Sequence, residues 1–72
     1  MNINIKTYNK IYNIDIDYNK TILNLKYLIK KLLNIDENKQ RLSFRGIPLI
    51  DEKKIEYYNI QENNTIFLVI TI

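Results

Sequence analysis

The feature that most constrains this chain is a single change of hydrophobic period. From Met1 to Thr7 the residues alternate, with Ile3 and Ile5 on one face and Asn2, Asn4 and Lys6 on the other. That is the period-two pattern of a half-buried strand. Tyr8-Asn9-Lys10 reads as a short turn, in which Asn9 is the residue best suited to a positive φ. Ile11 to Asp17 alternates again, placing Tyr12, Ile14 and Ile16 inward and Asn13, Asp15 and Asp17 outward. Two such runs joined by a short polar turn predict a hairpin. From Ile22 the period becomes about 3.6, with Ile22, Leu25, Ile29 and Leu32 or Leu33 on one stripe. Lys26, Lys30 and Lys31 fall mainly off it. Thr21 suits the N-cap and Asn34 the C-cap, and Lys30 and Lys31 complement the dipole at the C-terminal end.

The rest of the chain returns to strands. Asp36 to Lys39 is a polar connection, and Gln40 to Phe44 is a third strand with Leu42 inward. Arg45-Gly46 turns the chain into a short strand at Ile47 to Ile50. Asp51 to Lys54 is a charged loop, Ile55 to Tyr58 a single helical turn, and Glu62-Asn63-Asn64 a polar turn. Thr65 to Ile72 is a last, β-branched strand. One amphipathic helix must lie across one face of a mixed sheet to bury its stripe. The first and last strands then sit side by side at the centre, parallel to each other.

Composition narrows the chemistry. With 72 residues the chain is one domain, and a domain of this size buries only roughly 60% of the surface its unfolded form exposes. It has neither cysteine nor histidine, which removes disulfides, thiolate chemistry, the commonest general base and any structural zinc site. No apolar run approaches the roughly 18 residues that span a bilayer. The start of the chain lacks a signal peptide's apolar block. A soluble cytoplasmic or nuclear protein with no membrane partner is expected. A net charge of +3 is too small to imply nucleic acid without a clustered patch.

The element order is that of an α+β β-grasp fold, about five strands with one main helix packed across them. The residues carry the likeness further. The chain resembles ubiquitin in Met1, Ile3 and Lys6-Thr7; in Thr21-Ile22, Asn24, Lys26 and Ile29; in Gln40-Arg41-Leu42, Phe44 and Gly46; in Tyr58-Asn59-Ile60-Gln61; and in Thr65 and Leu68-Val69. Each short motif is weak, but their collinear order from first residue to last is specific. Periodicity and resemblance select the same core: Ile3, Ile5, Tyr12, Ile14, Ile16, Ile22, Leu25, Ile29, Leu42, Leu49, Ile55, Ile60, Ile66 and Leu68. The resemblance also implies that the Tyr58 hydroxyl ties down a neighbouring loop.

The departures matter as much. Conjugated members of this family end in a flexible tail with Arg-Gly-Gly, whose glycines pass a narrow cleft. This sequence reaches Ile72 in strand character without a glycine pair. The reading is a domain embedded in a longer protein; the alternative is a modifier whose Gly-Gly tail is absent. Lys6 and Lys26 match acceptor lysines, with Lys10 matching another across a one-residue gap. Ile47 and Glu62 stand where ubiquitin has its two most used chain-forming lysines.

Partners of this family dock on the exposed sheet face. The matching positions are Tyr8, Arg41, Ser43, Arg45, Gly46, Ile47, Phe67 and Val69, with Thr71 beside them. Alternation agrees in part: if Ile66, Leu68 and Ile70 point inward, Phe67 and Val69 are apolar side chains facing solvent, which marks an interaction surface. The central position is isoleucine in ubiquitin and Ser43 here, a loss of roughly 1.5–3 kcal/mol of potential burial. The patch is therefore expected to shift toward Tyr8, Ile47, Phe67 and Val69, with Arg41 and Arg45 steering acidic partners.

A monomeric, non-catalytic interaction domain that needs no cofactor is the functional expectation. The partners implied are ubiquitin-associated domains, ubiquitin-interacting helices, proteasome subunits or spliceosomal proteins. An enzyme is not expected, because the carboxylates fall on outward strand positions or in loops. RNA binding would need stacking aromatics in a basic surround, and only Tyr8 and Phe67 are candidates.

Overall fold

The computed structural model describes residues 1–72. The two alternating runs form β1 (Asn2–Thr7) and β2 (Lys10–Asp15), paired antiparallel with Ile3 opposite Ile14 and Ile5 opposite Tyr12. The register leaves only Tyr8 and Asn9 between the paired Thr7 and Lys10. The positive φ falls on Tyr8 (53°), not on Asn9 as the turn chemistry predicts. The inward faces of both strands set the register, and the turn must follow it at a cost of about 1–2 kcal/mol. β2 is shorter than predicted, though Ile16 stays buried and its N–H donates to the Met1 carbonyl at 2.9 Å.

Helix α1 (Ile22–Leu33) accounts for every N–H of its first turn. Ile22 N–H donates to the Lys53 carbonyl at 2.8 Å, and Leu23 N–H to the Asp51 carbonyl at 3.1 Å. Asn24 N–H donates to Thr21 Oγ1 at 3.1 Å, while Thr21 N–H donates to Asn24 Oδ1 at 3.0 Å, a reciprocal capping box. The helix stops at Asn34, which takes the left-handed conformation (φ 59°). Ile22, Leu25 and Ile29 are wholly buried, Leu33 packs partly on the core and Leu32 faces solvent.

Strands β3 (Gln40–Phe44), β4 (Ile47–Pro48) and β5 (Thr65–Ile70) complete a five-stranded sheet in the order β2-β1-β5-β3-β4. The central β1–β5 pair is parallel and the other neighbours antiparallel. β4 is half its predicted length, and its second residue, Pro48, has no N–H to extend the ladder. β5 ends at Ile70 because its partner begins at Gln40, opposite it. A short 3₁₀ turn at Ile55–Tyr58 appears where the sequence predicts one helical turn. Ile50 N–H donates to the Tyr58 hydroxyl at 2.8 Å, the loop tie that the resemblance implies.

Two core expectations change. Tyr12 is only half-buried because β2 is an edge strand, and Phe44 takes its place in the core at 5% exposure. Gln40, Leu42 and Phe44 share the inward phase of β3. The buried Gln40 amide donates to the Lys26 and Ile35 carbonyls, both at 2.9 Å, and so joins β3 to α1 and the segment that follows it.

Candidate functional site

The strand register assembles a face that no single segment contains. Ile11 lies opposite Lys6, Lys6 opposite Phe67, Phe67 opposite Ser43, and Ser43 opposite Pro48. Side chains directly opposite one another share a face, so these five form one row across all five strands. At a strand spacing of about 4.8 Å the row is on the order of 19 Å long. Val69 and its partner Arg41 form part of the next row. Phe67 is 47% exposed and Val69 59%, as their outward phase in β5 requires.

The face is mixed in character along its length. Toward the starts of β1 and β5 it is polar, with Asn13 opposite Asn4 and Asn4 opposite Thr65. There the Met1 ammonium donates to Asp15 Oδ1 at 2.9 Å, and this bond holds its pKa above the ordinary value of 8.0. At the other end the charged groups are cationic. Lys6 Nζ stands 5.9 Å from the centroid of the Phe67 ring, within cation–π range. Arg41 is exposed beside Val69.

The predicted positions do not all meet. Arg41, Ser43, Phe67 and Val69 are neighbours by register. Tyr8 stands at the hairpin tip, 76% exposed, walling a depression with Tyr12, Leu33, Ile35 and Ile70 at the end of the sheet. Arg45 and Gly46 form the β3–β4 turn, both with positive φ (52° and 78°). Ile47 lies opposite Phe44, on the side of the sheet away from Ser43 and Phe67. It lines a depression of about 540 Å³ with Phe44, Pro48, Ile50, Tyr57 and Tyr58. A shift of the apolar patch toward Ile47 within one face is therefore corrected: the pleat turns Ile47 to the other side. Ile11 and Pro48 occupy the face instead. The signal for Ile11 was present as an isoleucine in the outward phase of β2. Pro48 needed the β3–β4 register.

Lys26 also departs from its expected place. Its side chain is 11% exposed, and its Nζ lies 2.7 Å from Asp51 Oδ1, pinning the charged loop to the helix. Lys30 remains at the surface between Asp36 and Glu37; its hydrogen bonds to Glu37 and Asp36 hold its pKa above 10.5. No helix is long and apolar enough to cross a membrane, and no group of His, Cys, Asp or Glu is placed to hold a metal ion.

A mixed sheet with a parallel central pair, crossed on one face by a capped helix and open on the other, defines a β-grasp domain of the ubiquitin-like type. The chain belongs to the ubiquitin family: the sequence model described as Ubiquitin family matches residues 3–72. It is 37% identical to Ubiquitin-like protein 4B of Monodelphis domestica over 79% of this chain and 32% of that protein. It is 44% identical to Ubiquitin-like protein 4A of Rattus norvegicus over 64% of this chain and 29% of that protein. Ubiquitin domain-containing protein DSK2 of Saccharomyces cerevisiae is 32% identical over 96% of this chain and 18% of its own length. The chain thus spans a third or less of each of these relatives.

Proposed function

We propose that this domain works by being bound, through the outer sheet face centred on Phe67 and Val69, as the docking module of a longer adaptor protein. The carrying observation is the row Ile11–Lys6–Phe67–Ser43–Pro48, whose exposed apolar side chains stand beside Lys6, with Arg41 next to Val69 in the adjoining row. An aromatic anchor with a basic surround suits a partner segment that is apolar and acidic. Ubiquitin-associated domains, ubiquitin-interacting helices, proteasome subunits and spliceosomal proteins are the partner classes, met in the cytoplasm or nucleus. The greater length of the relatives favours an embedded domain over a modifier with a missing Gly-Gly tail. The coding sequence beyond Ile72 separates the two: a prompt Gly-Gly end supports the modifier, a long continuation the adaptor.

Titrating the labelled domain with a ubiquitin-interacting helix while recording amide shifts tests the face itself. Shifts centred on Phe67, Val69 and Ser43 are expected, with Phe67→Ala weakening binding about tenfold or more. Ser43→Ile joins Phe67 to Pro48 in one apolar band and is expected to tighten binding by a similar factor. Shifts confined to the outer helix face around Lys30 and Lys31 would overturn the proposal.

A further inference from the structure

The depression behind the β3–β4 edge is a second surface, distinct from the sheet face. Ile47, Ile50 and Tyr57 are 54%, 52% and 63% exposed, and they converge there over Phe44. Ile47 and Ile50 come from the end of the β3–β4 hairpin and Tyr57 from the 3₁₀ turn, and the fold brings the two segments together. The walls are held in place. Ile50 N–H is tied to the Tyr58 hydroxyl, and the Tyr57 ring packs edge-on to that of Tyr58 at 5.1 Å and 87°. A preformed apolar hollow loses little ordering entropy when it is filled.

Charge identifies the occupant. Arg45, which lines the hollow, lies over the Phe44 ring at 4.9 Å, and Lys53 lies over the ring of Tyr57, one of its walls, at 4.5 Å. Neither takes part in an ion pair. No carboxylate lines the hollow: Asp51 is engaged by Lys26, and Glu56 lines a different depression beside Met1 and Tyr18. The surface thus combines apolar walls with two cations that make no ion pair. We infer that this hollow binds a short peptide segment with an apolar centre flanked by carboxylates, as a second docking site independent of Phe67 and Val69. Pro48 lines it and also lies in the outer row, so the two surfaces adjoin around the sheet edge.

The test uses a fluorescein-labelled peptide with a central Leu-Phe pair and glutamates on both sides, together with its Glu→Lys analogue. Amide shifts are expected at Ile47, Ile50 and Tyr57, and the lysine analogue is expected to bind at least about tenfold more weakly. The double variant Ile50→Ser, Tyr57→Ser removes exposed side chains only and is expected to weaken peptide binding by about tenfold or more. The pair Arg45→Asn, Lys53→Gln reads charge separately, and asparagine suits the left-handed backbone at position 45. Phe67→Ala leaves peptide binding unchanged, so failure of the sheet-face proposal and failure of this one are distinguishable. Equal binding of both peptides, shifts centred on Phe67 and Val69, or no binding by the unaltered chain would each overturn the inference. Self-association of the domain through the hollow, seen as mass rising with concentration, would overturn it too.

Discussion

Lys26 shows how a charged residue comes to be structural. It follows Leu25 on the helix, at the margin of the buried stripe, and its ammonium reaches Asp51 at 2.7 Å from an 11% exposed side chain. Removing one partner of such a pair strands the other charge, and the cost is larger when the stranded group is the nearly buried Lys26 ammonium than when it is the 37% exposed Asp51 carboxylate, which water can solvate. Asp51→Asn is therefore expected to destabilise the domain by about 1–3 kcal/mol, less than a fully buried pair because Asp51 is partly exposed. Lys26→Met is expected to cost less. Urea denaturation of the two variants checks the order; a more damaging Lys26→Met would refute the asymmetry. Gln40 makes a related point. Its amide donates to two backbone carbonyls from a nearly buried position. Gln40→Leu leaves both without that partner and is expected to cost on the order of 1–3 kcal/mol.

Among the elements, the helix and the loop that caps it behave as one unit. A helix of 12 residues is marginal by itself, and here its first N–H groups are satisfied by Thr21, Asp51 and Lys53. Thr21→Ala removes the acceptor for Asn24 N–H and is expected to cost about 0.5–2 kcal/mol. Hydrogen exchange should accelerate at Asn24 first, and unchanged exchange there would contradict the capping role. The elements were largely legible before the structure. Period and cap residues located α1 at both ends, and the alternation of β1 and β2 located the hairpin. The misses lie where a neighbour decides. Pairing partners set the length of β5 and put the positive φ on Tyr8, whereas Pro48 ends β4. Phe44 is a different miss: it shares the inward phase of Leu42 in the strand predicted over Gln40 to Phe44, so its burial was legible in the alternation.

For the whole molecule, pH reports how Met1 is tied to the end of β2. The Met1 ammonium has its pKa raised above 8.0 in the fold, chiefly by its hydrogen bond to Asp15. A raised folded value contributes stability that is fully present below the unfolded pKa and is lost as pH rises through the folded one. Stability is thus expected to fall as pH rises above about 8. The corresponding loss from Lys30, raised above 10.5 by Glu37 and Asp36, follows at higher pH. Acetylating Met1 should abolish the first step and spare the second. Denaturation midpoints of acetylated and free chains across that range check it, and identical profiles would refute the assignment.

The candidate face divides along the same line. Outward phase alone marked Phe67 and Val69, and resemblance added Arg41 and Ser43. Which residues stand beside them required the register, which brought in Ile11 and Pro48 and sent Ile47 to the far side. By itself the sequence determined the order of elements, the ends of the helix and the inward face of each long strand, because period, caps and alternation act within a few residues. Only the tertiary structure decided which side chains share a surface, that Lys26 is buried against Asp51, and that Ile47, Ile50 and Tyr57 converge. Those facts depend on how separate segments pair and pack against one another, which no local pattern encodes.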